Sequence, residues 1–145
     1  MAVFAIIPAR FGSTRLPGKP LQIISGLEMV ERVRRIASAV KNIDEVFVAT
    51  DDARICKTVE GYGGKAIMTP LSCQNGSERA FEAVKDFAQP CDIIINLQGD
   101  APLTPPWIVE SIAKAMVSNQ DLKIADVTEV ANDILHCERR ICVLQ

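Results

Sequence analysis

The sequence predicts an α/β domain built on a mostly parallel sheet covered by helices. Three observations carry this reading. Continuous apolar runs, too unbroken for half-exposed strands, recur at residues 3–7, 46–50 and 93–97. Between them the apolar residues return at helical spacing. The chain of 145 residues, 48 % hydrophobic and 23 % charged, suits one domain with a single core rather than a disordered or coiled-coil protein.

Taken in order, residues 3–7 form a buried strand. Met29, Val30, Val33, Ile36, Ala37 and Val40 mark a helix, with Glu31, Arg32, Arg34 and Arg35 between them. Residues 46–50 form a second strand ending in Asp51 and Asp52, carboxylates that suit the N-terminus of the next helix, carried by Ile55, Cys56 and Val59. Gly61, Gly63 and Gly64 stop that helix, and residues 66–68 give a short strand. Asn75 and Glu78 resemble a capping box ahead of a helix packed by Phe81, Val84 and Phe87. Residues 93–97 are another buried strand, followed by Gln98, Gly99 and Asp100. Pro105 and Pro106 open a helix carrying Ile108, Ile112, Ala115 and Met116, and residues 123–130 and 140–144 read as two further strands. In such a sheet the ligand is expected beyond the carboxyl ends of the strands.

Composition excludes several classes. The net charge is −2, which gives no reason to expect nucleic acid or an anionic membrane as a partner. The charge is uneven, however: residues 1–41 hold seven basic and two acidic side chains, the remainder nine and sixteen. A small anionic ligand is therefore expected near the N-terminal part. No apolar stretch approaches the ~20 residues that span a bilayer. Residues 1–7 are apolar but lack a basic flank, so they are not read as a signal peptide. Five cysteines (Cys56, Cys73, Cys91, Cys137, Cys142) at irregular spacing argue for a reducing, cytoplasmic compartment. His136, Cys137 and Cys142 lack the second ligand pair of a zinc site and read as incidental rather than as a thiol or metal module.

The most informative segment, residues 8–20 (PARFGSTRLPGKP), follows the first strand at its carboxyl edge. It combines Arg10, Arg15 and Lys19 with Gly12, Gly18, Ser13 and Thr14. Glycines let backbone N–H groups approach phosphate oxygens, and the cations neutralise them. It is not a Walker A loop: five residues separate Gly12 from Gly18, and Pro20 stands where a metal-touching hydroxyl belongs. On composition alone, a phosphate site and a solvated basic loop are equally open. Asp100, just past the third long strand, suits Mg²⁺ held through one oxygen with phosphate supplying others. Alone it also suits a turn, as Gly99 and Pro102 do.

Taken together, five ordered stretches resemble the 3-deoxy-manno-octulosonate (Kdo) cytidylyltransferases, or CMP-Kdo synthetases. They are IIPARFGSTRLPGKPL (6–21), VFVATDDARI (46–55), GYGGKAIMT (61–69), QNGSERAFEAV (74–84) and INLQGDAPLTPP (95–106). That family reads roughly PARxxSTRLPGKPL, ATDD, GG…MT, HQSGTER and NVQGDEP. Its sialic-acid relatives share the IPAR opening but usually carry a Lys-rich loop.

The resemblance implies a Rossmann-like nucleotide-diphospho-sugar transferase domain. It implies transfer of CMP from CTP to Kdo, giving CMP-Kdo and pyrophosphate for lipopolysaccharide biosynthesis, with Mg²⁺ as cofactor. By position, Ala9 would hold the nucleotide through its backbone. Arg10 and Lys19 would bind the triphosphate, and Gly12 and Ser13 would donate to phosphate oxygens. Arg15 would face triphosphate or sugar acid. Ser77 and Arg79 would frame the cytidine, Gln98 would lie between base, ribose and incoming sugar, and Asp100 would bind the metal. Arg10, Lys19 and Asp100 are the expected catalytic set.

Three positions depart from the family pattern. Cys73 stands at the usual His, Asn75-Gly76-Ser77 replaces Ser-Gly-Thr, and Ala101 replaces the Glu of GDEP. The resemblance spans nearly all of residues 1–145 but only the N-terminal part of the family. A partial form is therefore expected, one nucleotide-binding domain without the family's second half, and a homodimer or poor solubility with it. Two alternatives stay open here: a catalytically silent nucleotide-binding domain, and a cytidylyltransferase for another sugar acid such as sialic acid.

Overall fold

A computed structural model describes residues 1–12, 14–88 and 91–120, and the backbone of 124–126 and 140–144. In chain order the elements are β1 (Val3–Ala9), a hairpin of β2 (Ile23–Ile24) and β3 (Leu27–Glu28), α1 (Met29–Ser38), β4 (Glu45–Thr50) and α2 (Ala53–Gly61). There follow β5 (Lys65–Met68), α3 (Gly76–Val84), β6 (Ile93–Leu97), α4 (Pro106–Ser118), β7 (Ile124–Asp126) and β8 (Arg140–Leu144). Apart from the hairpin, the strands form one six-stranded sheet in the order β5-β4-β1-β6-β8-β7. Every neighbouring pair in it is parallel. The parallel sheet read from the continuous apolar runs is therefore present.

All seven residues of β1 are buried, as a central strand covered on both faces requires. Its side chains alternate between two cores. Val3, Ala5, Ile7 and Ala9 pack with Val30, Val33 and Ala37 of α1, Ile55 and Val59 of α2, and Val109, Ala113 and Met116 of α4. Phe4 and Ile6 face Ala80, Ala83 and Val84 of α3. Burying each of these large side chains contributes about 1.5–3 kcal/mol.

The caps follow the sequence with one division of labour. Asp52 caps α2, its carboxylate accepting the Arg54 N–H at 2.8 Å. Asp51 does not cap; it turns toward the carboxyl end of β1. Asn75 caps α3 by accepting the Glu78 N–H at 2.8 Å, and Glu78 reaches back to the Gln74 N–H, also at 2.8 Å. Two helices end earlier than their periodicity. Val40 lies past α1 and Phe87 past α3, yet both still pack on the core, Phe87 within 5.1 Å of the Phe47 ring centroid. Glu31, among the polar positions of α1, is fully buried, with Arg34 at 2.6 Å and Arg35 at 2.9 Å on its carboxylate. β1 extends through Pro8 to Ala9, because its pairing with β6 ends at Ile6 while that with β4 continues. Of the strand expected over 123–130, β7 covers Ile124–Asp126 and the remainder lies outside the described residues. Among the described residues no helix is long and apolar enough to cross a membrane.

Candidate functional site

The chain runs outward from β1 to β4 to β5, then returns to place β6 on the other side of β1. The strand order thus reverses between β1 and β6, and a crevice opens at their carboxyl ends. The two ends abut closely: a Cβ on Gly99 would sit 2.6 Å from the Pro8 carbonyl oxygen. Only glycine lets the segment after β6 cross there, and this crossing delivers Asp100 to the loop that follows β1.

That loop is closed by Phe11 and Gly18. The Gly18 N–H donates to the Phe11 carbonyl at 2.8 Å, and Gly18 adopts φ +71° directly against the Phe11 ring. The Arg54 guanidinium covers the ring at 3.4 Å from its centroid. The loop leads into a short 3₁₀ turn at Lys19–Leu21. There the Lys19 ammonium meets the Asp100 carboxylate at 3.0 Å, both side chains open to solvent. No carboxylate among the described residues pairs with Arg10 or Arg15, both exposed.

A cavity of about 600 Å³ occupies this crevice. Of the residues expected from sequence, Ala9, Arg10, Arg15, Lys19, Arg79, Gln98 and Asp100 line it. Gly12 and Ser77 do not. Nothing surrounds a Cβ position on Gly12 within 4 Å, so it stands in open space. The Ser77 hydroxyl lies behind the wall and accepts from the buried Asn96 amide at 3.3 Å; the Asn96 carbonyl in turn accepts from Gln98 at 3.4 Å. Ser13 lies outside the described residues.

Arg79 lines the cavity, but its guanidinium is engaged by the protein. It donates to the Thr69 hydroxyl at 2.6 Å, the Pro70 carbonyl at 3.4 Å and the Asp51 carboxylate at 3.2 Å. The other Asp51 oxygen accepts the Phe11 N–H at 3.3 Å.

Sequence reasoning named Cys73, Asn75 and Gly76 as departures or caps, not as site residues, yet they line the cavity with Gln74 and Thr14. Gly76 packs beneath Gln98, where a Cβ would meet the Gln98 amide at 3.0 Å. Burial pushes the Cys73 thiol up from its ordinary range, partly offset by the nearby Arg79 charge.

Among the described residues no group of three or more His, Cys, Asp or Glu gathers, so they form no all-protein metal cage. What they offer is one exposed carboxylate, Asp100, facing a cationic loop and already accepting the Lys19 ammonium. This donor set fits a hard divalent cation that takes one protein oxygen and completes its shell from phosphate and water. Of the thiol cluster weighed from sequence, His136 and Cys137 lie outside the described residues, and for Cys142 only the backbone is described.

The cytidylyltransferase family model matches residues 4–140, nearly the whole chain and all of the site. The chain belongs to the cytidylyltransferase family. It is 54 % identical over 125 residues to the 3-deoxy-manno-octulosonate cytidylyltransferase of Maricaulis maris (strain MCS10), a match covering 86 % of this chain and 48 % of that one. It is 46 % identical over 113 residues to the 8-amino-3,8-dideoxy-manno-octulosonate cytidylyltransferase of Shewanella sp. (strain W3-18-1), covering 77 % and 46 %. The solved structure of CMP:2-keto-3-deoxy-manno-octonic acid synthetase complexed with CTP superposes with a TM-score of 0.80 at 39 % identity, covering 89 % of this chain and 54 % of that one. The Rossmann-like nucleotidyltransferase fold follows, as the resemblance implied. This cytidylyltransferase chain spans about half the length of the curated relatives it matches.

Proposed function

We propose that this protein transfers CMP from CTP to 3-deoxy-manno-octulosonate, releasing pyrophosphate, in the cytoplasm, for lipopolysaccharide biosynthesis and with Mg²⁺. The observation that carries the reading is the convergence of Lys19 and Asp100 at 3.0 Å on one cavity, with Arg10 and Arg15 beside them and unpaired by any carboxylate among the described residues. Cations beside a lone carboxylate suit a triphosphate and its divalent ion better than a neutral ligand.

In the reaction the anomeric oxygen of the sugar bonds to the α-phosphorus and gives up its hydroxyl proton to solvent. The bond from that phosphorus to the bridging oxygen breaks, and its electron pair leaves with pyrophosphate. Negative charge grows on the α-phosphoryl oxygens and the leaving group, so catalysis rests on fixed positive charge. Arg10 and Lys19, which line the cavity, supply it. The Ala9 backbone and Gln98 hold base and ribose, while Ser77 fixes Gln98 through Asn96. Arg15 reaches the triphosphate or the sugar carboxylate. Asp100 would hold Mg²⁺, which would neutralise charge on the phosphate oxygens. Leaving Lys19 for that ion costs Asp100 little, since an exposed pair contributes roughly 0–1 kcal/mol.

The relative acting on the 8-amino sugar acid makes that compound the competing substrate. A second reading, nucleotide binding without turnover, is favoured by Ala101. It stands directly after Asp100, where the family pattern has a carboxylate, and its N–H donates to the Gln98 carbonyl at 3.2 Å within a turn. One experiment separates these readings: purified protein with CTP, Mg²⁺ and either sugar acid, assayed for pyrophosphate and for the CMP-sugar formed. Turnover with Kdo is expected. Binding of CTP without pyrophosphate release supports the silent domain, and failure to bind CTP overturns both. A homodimer belongs to the same proposal, with light scattering at high concentration as its check and a clean monomer as the contrary result.

A further inference from the structure

The loop bearing Arg10, Arg15 and Lys19 carries three like charges and, among its described residues, no helix or strand between Arg10 and Gly18. Something must hold it against self-repulsion. Phe11 is its anchor, through the Gly18 N–H and the stacking of its ring between Gly18 and Arg54. Phe11 is itself gripped at its backbone N–H by Asp51, from the end of β4. The second Asp51 oxygen is taken by Arg79, whose side chain is only 4 % exposed.

Arg79 belongs to α3, and the start of that helix, Asn75 and Gly76, forms the cavity wall opposite the loop. The chain of contacts from Phe11 through Asp51 to Arg79 therefore ties one wall of the cavity to the other. Stability alone gives weak reason for it, since a buried ion pair recovers little more than its desolvation cost. Resting on the proposed function, we propose that Asp51 is a positioning residue for triphosphate binding. It holds the cationic loop through the Phe11 N–H, with Arg79 as its buried counter-charge and no direct contact to the nucleotide.

A loop-positioning role acts on the phosphates and not on the base, so its signature is a ratio. CTP and CMP are titrated calorimetrically into the full chain, wild type and D51N. Asn keeps the shape and one acceptor but loses the charge that orients Arg79 and strengthens the bond to Phe11. The CTP affinity of D51N is expected to fall about tenfold or more relative to wild type, with CMP affinity nearly unchanged. If D51N does not fold, R79K carries the test: one ammonium cannot reach Thr69, Pro70 and Asp51 together, and the CTP-to-CMP ratio is expected to fall in the same direction. An unchanged ratio in the folded variant overturns the inference, as does an equal loss for both ligands. Wild-type protein that binds neither nucleotide fails the functional reading instead, a distinct result.

Discussion

Lys19 and Asp100 are 81 residues apart in sequence, and their charged atoms meet at 3.0 Å across the point where the strand order reverses. Neither side chain is buried, so the contact is a feature of the site more than a support of the fold. K19M and D100N are each expected to shift the melting temperature by less than about 3 °C, the scale of an exposed ion pair. Pyrophosphate release from CTP and Kdo is expected to fall about 100-fold or more, because charge stabilisation at the phosphates is lost. A large loss of melting temperature with activity kept would reverse these roles.

Two glycines near the crevice differ in how closely the backbone packs around them. G99A drives a Cβ to 2.6 Å from the Pro8 carbonyl oxygen, a backbone atom that cannot step aside. A destabilisation of about 1–3 kcal/mol is expected in urea unfolding. G12A meets nothing within 4 Å and is expected to leave the unfolding midpoint unchanged.

Cys73 reports on the cavity directly. Burial raises its thiol above the ordinary range, so at neutral pH the thiolate is scarce. Site-resolved mass spectrometry is expected to find slow alkylation by iodoacetamide at pH 7, accelerating as the pH rises toward 10 and suppressed by saturating CTP. Equal labelling with and without CTP would place the nucleotide elsewhere.

Asp52 gives a pH-dependent handle on the fold. Its hydrogen bond from Arg54 lowers its carboxyl below the ordinary value. A group depressed in the folded state contributes stability above its unfolded value, and that contribution is lost as the pH falls through the folded one. The gap in melting temperature between wild type and D52N is expected to be full near pH 6 and to close as the pH falls below the ordinary carboxylate range. A gap that widens in acid would contradict the assignment.

The sheet was legible because a central parallel strand must be apolar on both faces, and residues 3–7 and 93–95 are. The cationic loop and Asp100 were singled out because their residue types follow such strands, and the structure brings them together on one cavity; the five motifs pointed to the family. The β2–β3 hairpin was not. Its signal is the Ser25-Gly26 pair, whose positive φ angles of 48° and 82° make a tight turn, but only two residues flank it on each side. The bond from the Phe11 N–H to Asp51 was missed because two adjacent carboxylates before a helix both look like caps, and only the position of Phe11 distinguishes them. Asn96 carried a signal in being the single polar residue of its strand, though its link to Gln98 needs the fold to be seen.

The central claim is that Arg10 and Lys19 on one side and Asp100 on the other hold a cytidine triphosphate with its divalent ion. Calorimetric titration of CTP with and without Mg²⁺, for wild type, K19M and D100N, tests it most directly. Wild-type affinity is expected to rise with Mg²⁺, K19M to weaken binding in both conditions, and D100N to bind equally with or without the ion. A D100N protein whose affinity still rises with Mg²⁺ as the wild type's does would contradict the account.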